Sequence, residues 1–108
     1  MKKLCVGLVE KVEIGGKVVK ARIDTGARGN SISESLAKVL NLEKLGRTIV
    51  VKSASGRQVR PLVVADIVLK GRKLHTKFNV TDRSHLQYQM LIGVEVLKQG
   101  FLVDPSKE

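Results

Sequence analysis

A run of mostly apolar residues, 18–23, leads directly into the tetrapeptide Asp24-Thr25-Gly26-Ala27. β-Branched residues at this density are typical of a strand, and the small residues that follow are typical of a turn. This order predicts a carboxylate at the end of a strand. Asp can handle a proton there, Thr can hydrogen-bond to a neighbouring backbone, and Gly next to Ala lets a substrate chain approach closely. We therefore predict that Asp24, Thr25 and Gly26 are catalytic, although the same three residues also fit an ordinary turn.

The chain length limits how many such sites one chain can carry. Its 108 residues are enough for one modest core but not for two barrel-like lobes, so residues 1–108 are predicted to form a single domain with one catalytic Asp. Aromatic residues make up 3% of the chain and Trp is absent. The core must therefore be built from Val, Leu and Ile, which favours a mainly β protein.

Periodicity and turn residues predict the order of the elements. Strands at 5–13 and 17–23, turning at Gly15-Gly16, form a hairpin that delivers Asp24. Ser31 or Ser33 can cap a short helix that ends at Asn41. On that helix Leu36, Val39 and Leu40 share a face. The other predicted elements are strands at 48–52, 57–64, 65–69, 73–80 and 101–103, an apolar run at 89–93 and a helical turn at 94–99.

The chain is strongly basic, with 20 Lys and Arg against 10 Asp and Glu and a formal net charge of +10. Such a surface attracts polyanions, so acidic peptides and RNA are both candidate partners, and a merely solvated basic face is the alternative. Only Phe78, Tyr88 and Phe101 are available to stack on bases, and no nucleic-acid motif is present. We therefore expect nucleic acid to bind only by non-specific electrostatic association.

Neither a membrane segment nor a targeting signal is predicted. No stretch is apolar for long enough to cross a membrane, and the start of the chain lacks a signal-peptide pattern, so a cytoplasmic location is expected. Cys5 is the single cysteine, which rules out a disulfide within one chain, and we expect it to be a small buried hydrophobe. His75 and His85 stand alone, and no zinc-binding helix motif or nucleotide-binding loop is present. No metal or cofactor is predicted.

Two motifs together resemble those of the retropepsins. The first is Asp24-Thr25-Gly26-Ala27, and the second is Leu91-Ile92-Gly93, which is followed by Val96-Leu97 and a closing strand. The resemblance covers nearly the whole chain. It implies a mainly β, single-lobe closed barrel with a flap hairpin at residues 50–64 and one or two short helices. It also implies that Leu91, Ile92 and Gly93 support the catalytic loop from below.

A narrower likeness concerns residues 24–28 and the ending 101–107. Both are similar to a cellular branch of retropepsins found in bacteria and archaea. That branch has been labelled ATP-dependent zinc proteases, and its members are often associated with ATP-grasp ligases that add glutamate tails to proteins. The sequence departs from the commonest retropepsin pattern at Arg28, where an acidic residue is usual, and at Val94, where Arg is usual. We hypothesise that Glu95 pairs with Arg28 and restores an ion pair with reversed sign.

The resemblance implies an aspartic endopeptidase that is active as a homodimer, with Asp24 of each subunit in the catalytic dyad. Arginines at positions 22, 28, 57 and 60 favour acidic or glutamate-tailed peptides as substrates. A retropepsin-fold module that binds peptides or proteins without cutting them is the alternative. The substrate-binding residues that the resemblance implies are Ala27, Arg28, Ser53, Ala54, Ser55, Gly56 and Arg57.

Overall fold

The computed structural model describes residues 2–54 and 56–108, and it describes Ser53 by its backbone alone. The strands are β1 (Leu4–Val6), β2 (Val9–Ile14), β3 (Lys17–Ile23), β4 (Asn30–Ser33), β5 (Glu43–Ser53), β6 (Gly56–Leu69), β7 (Arg72–Thr81), β8 (Met90–Ile92) and β9 (Phe101–Val103). The helices are α1 (Glu34–Val39) and α2 (Val94–Leu97). Within the described ranges, neither helix is long and apolar enough to cross a membrane.

Six strands close into a barrel in the order β2-β3-β8-β4-β7-β6, because β2 pairs with both β3 and β6. β5 lies outside this ring as the antiparallel partner of β6, and the two strands form a long hairpin, the β5–β6 hairpin. β1 and β9 form a separate parallel pair. The predicted fold class, a mainly β closed barrel with a hairpin flap and two short helices, is confirmed.

The barrel interior is filled by aliphatic side chains, and this fixes the direction of the residues before Asp24. On β3, Ala21 and Ile23 are buried, whereas Arg22 between them is exposed. This alternation is expected of a strand with one face on a core. Asp24 comes next in the same alternation, so Arg22 and Asp24 are both directed away from the core.

β8 lies between β3 and β4 and organises the end of the barrel at which Asp24 lies. It runs parallel to β3 and antiparallel to β4. The connection between β3 and β4, residues 24–29, must therefore cross the end of β8, and we call it the Asp24 loop. Because α2 begins directly after β8, its first residues are delivered to the same place.

Two predictions about the strands were wrong. The stretch 5–13, predicted as one strand, is divided into β1 and β2, which lie in different sheets. Residues 57–64 and 65–69, predicted as two strands, form the single strand β6 of 14 residues. Pro61 does not break this strand, because it lies beside the irregular pairing between Lys44 and Thr48. A proline is tolerated in a strand where the ladder is already interrupted.

Two predictions about burial were also wrong. Val39 is 67% exposed, because α1 has only six residues and turns its last one to solvent, so Leu36 carries the buried side of the helix. Cys5 is exposed rather than buried. It alternates with Leu4 and Val6 on the short surface strand β1, and those two residues take the inward positions.

Candidate active site

The backbone of the Asp24 loop fixes one oxygen of the Asp24 carboxylate and leaves the other open. The Asp24 N–H donates to the carbonyl of Ile92 at 2.9 Å, which ties the loop to the end of β8. The Gly26 N–H donates to Asp24 Oδ1 at 2.8 Å. Oδ2 has no hydrogen-bond partner among the described residues, and Asp24 is half-buried. The carboxylate is thus oriented by the loop but retains a free oxygen for chemistry.

Two glycines bear on this arrangement, and the space at Gly93 is the more restricted of the two. A Cβ at Gly26 would lie 3.1 Å from Asp24 Oδ1 and crowd the carboxylate. A Cβ at Gly93 would lie 2.7 Å from the carbonyl oxygen of Ala27 and would clash with that of Gly29. The end of β8 therefore packs against the Asp24 loop as closely as backbone can.

The first turn of α2 holds the far side of the Asp24 loop. The Val94 N–H donates to the Ala27 carbonyl at 2.8 Å, and the Glu95 N–H donates to the Arg28 carbonyl at 2.8 Å. The N–H groups at the start of a helix have no partner within the helix, so these bonds satisfy them. Ala27 and Arg28 are in this way held by their backbones and keep their side chains available.

Asn30 completes the support of the loop, and the sequence analysis missed it. It is 2% exposed. Its Oδ1 accepts from the Gly93 N–H at 3.0 Å, and its Nδ2 donates to the Lys77 carbonyl at 2.9 Å and to Thr76 Oγ1 at 3.1 Å. One buried amide therefore joins β4, β7 and the β8–α2 junction. No local sequence signal marks this role, because it depends on contacts with β7 and with Gly93.

Thr25 and Arg28 project from the loop without side-chain partners. Thr25 is exposed and makes no hydrogen bond to any described residue. Arg28 is exposed and has no ion-pair partner in the described ranges. The hypothesis that Glu95 pairs with Arg28 is wrong, because the Glu95 carboxylate pairs with Lys98 at 3.1 Å. Helical spacing favours that nearer partner.

The three residues predicted to support the site divide between two faces. Ile92 and Gly93 are buried next to the Asp24 loop, Ile92 through its carbonyl and Gly93 through its missing side chain. Leu91 is half-buried. By alternation its side chain lies on the face that carries Arg22 and Ser31, its neighbours in register on β3 and β4.

The hairpin residues predicted to bind substrate belong to a different element from this loop. Ala54, Gly56 and Arg57 are at the tip of the β5–β6 hairpin, where Ser53 pairs with Gly56. Neither Ala54 nor Arg57 makes a hydrogen bond or ion pair to the Asp24 loop. Ser55 lies outside the described residues, so its predicted role is not addressed.

A polar row on the outer face of the sheet leads away from Asp24, and most of it was not predicted. Ser31 Oγ donates to Asn79 Oδ1 at 2.8 Å, and Arg60 Nη1 donates to the same oxygen at 2.9 Å. Arg83, in the loop after β7, is 7% exposed and donates from Nε to the Tyr88 carbonyl at 2.9 Å. Burial lowers the pKa of Arg60 from its usual value.

The environment of Arg83 is more positive than that of Arg60. Burial, and then the charges of Arg60 and Arg22, lower the pKa of Arg83 from its usual value. Three guanidinium groups from β3, β6 and the loop after β7 therefore act on one another. Only Arg22 and Arg60 were predicted to lie at the site, because nothing in the local pattern around Arg83 indicates burial.

The remaining ionisable side chains that could act in chemistry lie elsewhere. His75 Nδ1 and Asp66 Oδ1 are 2.7 Å apart in an exposed cross-strand pair. Hydrogen bonds from Ser84 and from Ser106 lower the pKa values of Asp82 and Asp104, whose carboxylates close turns. Over the described part of the chain, no three His, Cys, Asp or Glu side chains are grouped in a way that could hold a metal ion.

The sequence of the chain is similar to those of known proteins. The profile of the family described as "gag-polyprotein putative aspartyl protease" matches residues 10–99. Two proteins named "Probable alpha-L-glutamate ligase", from Shewanella pealeana and Shewanella halifaxensis, are each 29% identical over 119 residues. The match covers 87% of this chain but 26% of each relative, so the chain spans about a quarter of the length of these curated relatives.

Two solved structures share the fold. A protein of unknown function from Legionella pneumophila, Lpg0085, superimposes with a TM-score of 0.69 at 22% identity, over 94% of this chain and 93% of that one. The protease of simian foamy virus superimposes with a TM-score of 0.64 at 20% identity, over 83% of this chain and 91% of that one. At these identities the likeness concerns the fold alone.

Proposed function

Because the chain belongs to the family of gag-polyprotein aspartyl proteases, we propose that it is an aspartic endopeptidase, active as a homodimer with Asp24 of each subunit in the catalytic pair. One observation carries the proposal: the Asp24 carboxylate is oriented at the end of β3 by the Gly26 N–H, and its Oδ2 has no partner among the described residues. A single carboxylate is half of the pair that this chemistry uses. A second copy of the chain supplies the other half.

Features around the Asp24 loop support a two-fold contact there. Thr25 is exposed and makes no hydrogen bond among the described residues, so its hydroxyl and backbone groups are available to a second loop. Leu8 and Val94 are exposed apolar side chains whose backbones are bonded to this region. The Leu8 carbonyl accepts from the Ile23 N–H, and the Val94 N–H donates to the Ala27 carbonyl. Closed two-fold symmetry would bring both Asp24 carboxylates to the axis.

The mechanism follows from two carboxyl groups that share one proton. Two carboxylates about 3 Å apart cannot both ionise readily, so the pair titrates as a unit. The ionised group takes a proton from water, and the water oxygen attacks the carbonyl carbon of the peptide bond. The protonated group gives its proton to the carbonyl oxygen, so a tetrahedral intermediate forms without an acyl-enzyme. Proton transfer to the amide nitrogen then accompanies cleavage of the C–N bond.

We further propose that acidic peptides, including glutamate tails, are the preferred substrates and that the β5–β6 hairpin closes over them. The net charge of +10 supports this preference, as do Arg22 and Arg28, which lie near Asp24 in the chain and whose guanidiniums have no ion-pair partner among the described residues. The names of the two Shewanella relatives point in the same direction, because an α-L-glutamate ligase adds the residues that such an enzyme would remove. A cytoplasmic location remains a prediction from the sequence.

A peptide-binding module without catalytic activity is the second candidate function. Val94 favours it, because the ion pair usual at this place in retropepsins has no counterpart here and Glu95 pairs with Lys98 instead of Arg28. If the active dimer is too weak to form, the barrel would bind without cutting.

Mass spectrometry of a mixed peptide set that includes glutamate-tailed sequences separates the two functions. The native chain and Asp24→Asn are incubated with the peptides at the same high concentration. We expect new fragments with the native chain and none with the variant, because an amide cannot act as the base. Intact peptides in both samples, at concentrations where the chain is dimeric, would favour the binding module.

A further inference from the structure

Two arginines, Arg22 and Arg60, lie along one row on the outer face of the sheet, next to the Asp24 loop. Arg22 lies opposite Leu91 in register, Leu91 opposite Ser31, and Ser31 opposite Asn79. Neighbouring strands are about 4.8 Å apart, so the backbones of Arg22 and Ser31 are about 10 Å apart. The guanidinium of Arg60 extends to this row from β6, with Nη1 2.9 Å from Asn79 Oδ1 and 3.4 Å from Ser31 Oγ.

Arg83 adds a third positive charge to the same place. Its residue is 7% exposed, and its Nε is bound to the Tyr88 carbonyl at 2.9 Å. The charges of Arg60 and Arg22 both act on it, and burial together with these charges lowers the pKa of Arg83. A nearly buried guanidinium thus lies within electrostatic reach of two others.

Arg60 and Arg83 are held in position by hydrogen bonds but keep other donors free. Arg60 Nε donates to Gln58 Oε1 at 2.7 Å, and that oxygen also accepts from Thr81 Oγ1 at 3.3 Å. The Nη2 of Arg60 and both Nη groups of Arg83 have no partner among residues 2–54 and 56–108. The Arg22 side chain makes no hydrogen bond to those residues. A guanidinium fork with free Nη groups matches the two oxygens of a carboxylate.

No ion pair among the described residues balances the charge of this cluster. The ion pairs among the described residues are Lys70 with Glu10, His75 with Asp66, and Lys98 with Glu95. None of these involves Arg22, Arg60 or Arg83. Gathering like charges in a partly buried place costs free energy unless an anion accompanies them. Charged groups perturbed in this way cluster at functional sites.

The position relative to Asp24 identifies the anion as part of a peptide. Arg22 precedes Asp24 by two residues and is directed to the same side, which places it about 7 Å away along the strand. An extended peptide advances about 3.4 Å per residue. A group bound by Arg22 would therefore lie one or two residues from the bond that Asp24 cleaves.

We propose that Arg22, Arg60 and Arg83 form a subsite that binds a carboxylate of the substrate within two residues of the cleaved bond. The carboxylate is either the side chain of Glu or Asp or the C-terminus of the peptide. This subsite rests on the proposed peptidase function and names the residues that select its acidic substrates. RNA is a poorer fit, because Phe78 and Phe101 are buried in the core and leave only Tyr88 to stack on bases.

Binding to the Asp24→Asn chain tests the subsite without any need for cleavage. Fluorescence anisotropy would follow four labelled peptides: a glutamate peptide and its glutamine counterpart, each with a free and an amidated C-terminus. Arg22→Gln is the main variant, because the Arg22 side chain is exposed and makes no hydrogen bond to the described residues. Arg83→Lys is the second variant, since it keeps the charge but loses the fork. Lys73→Gln is the matched control, since it removes a charge at the far end of β7 from Asn79.

A charge-assisted hydrogen bond gives the expected size of the effect. Arg22→Gln should weaken binding of the preferred acidic peptide about tenfold, and Arg83→Lys several-fold. Lys73→Gln should leave this affinity nearly unchanged, as should either arginine variant with the glutamine amide peptide. Loss of affinity on Glu→Gln replacement identifies a side-chain carboxylate, and loss on amidation identifies the C-terminus.

Several results would overturn the subsite. These are equal affinity for all four peptides, no binding of any, an equal effect of Lys73→Gln and Arg22→Gln, or an RNA oligonucleotide that binds through Arg83 more tightly than any peptide.

Cleavage assays separate failure of the subsite from failure of the proposed function. A native chain that cuts glutamate and glutamine peptides equally, with or without Arg22, retains the function and loses the subsite. An inactive native chain whose Asp24→Asn form still binds carboxylates through Arg22 retains the subsite and loses the function.

Discussion

At the scale of single residues, the Asp24 loop depends on backbone contacts that allow no side chain. Gly93 is the strictest case, because the carbonyl oxygens of Ala27 and Gly29 occupy the space that a Cβ would take. Backbone cannot move aside as a flexible side chain can. The identity of this residue therefore decides how closely β8 and the start of α2 approach the Asp24 carboxylate.

Gly93→Ala should destabilise the fold by about 3 kcal/mol, as expected for overpacking against rigid atoms, and should displace the loop. Chemical denaturation measures the loss of stability. Gly29→Ala is the matched control, since a Cβ there meets nothing within 4 Å and should change stability by less than about 0.5 kcal/mol. Equal stability of the two variants would show that the close contact at Gly93 has no energetic role.

The sequence identified the residues of this loop, but not all of those that support it. Asp24, Thr25 and Gly26 are a local motif whose chemistry can be read from residue types alone. Asn30 and Arg83 cannot be recognised in that way, because their roles depend on contacts with distant strands and loops. An Asn beside a turn and an Arg in a polar loop are ordinarily exposed.

At the scale of elements, α1 is held by a cap that also ties it to the loop before β8. Ser33 Oγ accepts from the Leu36 N–H at 3.1 Å and donates to Gln89 Oε1 at 2.9 Å. The Ser33 N–H donates to the Gln89 carbonyl at 2.8 Å. A helix of six residues has little stability of its own, so these contacts anchor it.

Ser33→Ala should lower the free energy of unfolding by about 1–2 kcal/mol, because the cap and the bond to Gln89 are lost together. Thermal or chemical denaturation monitored by circular dichroism measures this change. Ser35→Ala serves as control, since Ser35 is exposed and lies 3.5 Å from Gln89 Oε1. A loss as large for Ser35→Ala as for Ser33→Ala would argue against the cap.

The elements show where local pattern is sufficient and where it fails. The Gly15-Gly16 turn was predicted correctly because both glycines adopt positive φ angles, which few other residues tolerate. Ser33 was one of two predicted caps, and the other, Ser31, is in β4. The continuity of β6 through Pro61 could not be foreseen, since it depends on irregular pairing in the neighbouring strand.

At the scale of the whole molecule, closure of the barrel brings β3, β8 and β4 together. A single barrel nevertheless supplies only one carboxylate, that of Asp24, to the proposed site. The pairing of β2 with β6 that closes the barrel joins residues more than 50 positions apart, so only the family resemblance indicated it. The proposed activity then becomes a property of two barrels. Protein concentration and the contacts of Thr25 should both control it.

Thr25→Ala should weaken the dimer about tenfold, because each subunit loses one hydrogen bond at the two-fold contact. Analytical ultracentrifugation measures the dimer dissociation constant. Thr25→Ser keeps the hydroxyl and should dimerise nearly as the native chain does. An unchanged dissociation constant for Thr25→Ala would exclude Thr25 from the contact.

Mixing native and Asp24→Asn chains tests most directly whether one site is built from two subunits. The two chains are unfolded together, refolded at equal amounts and assayed against the best peptide, with native chain at the same total concentration as reference. If both Asp24 residues are needed, only native homodimers cut, and the mixture should retain about one quarter of the reference activity. A value of about one half would mean that each chain works alone, and it would contradict the proposed dimeric site.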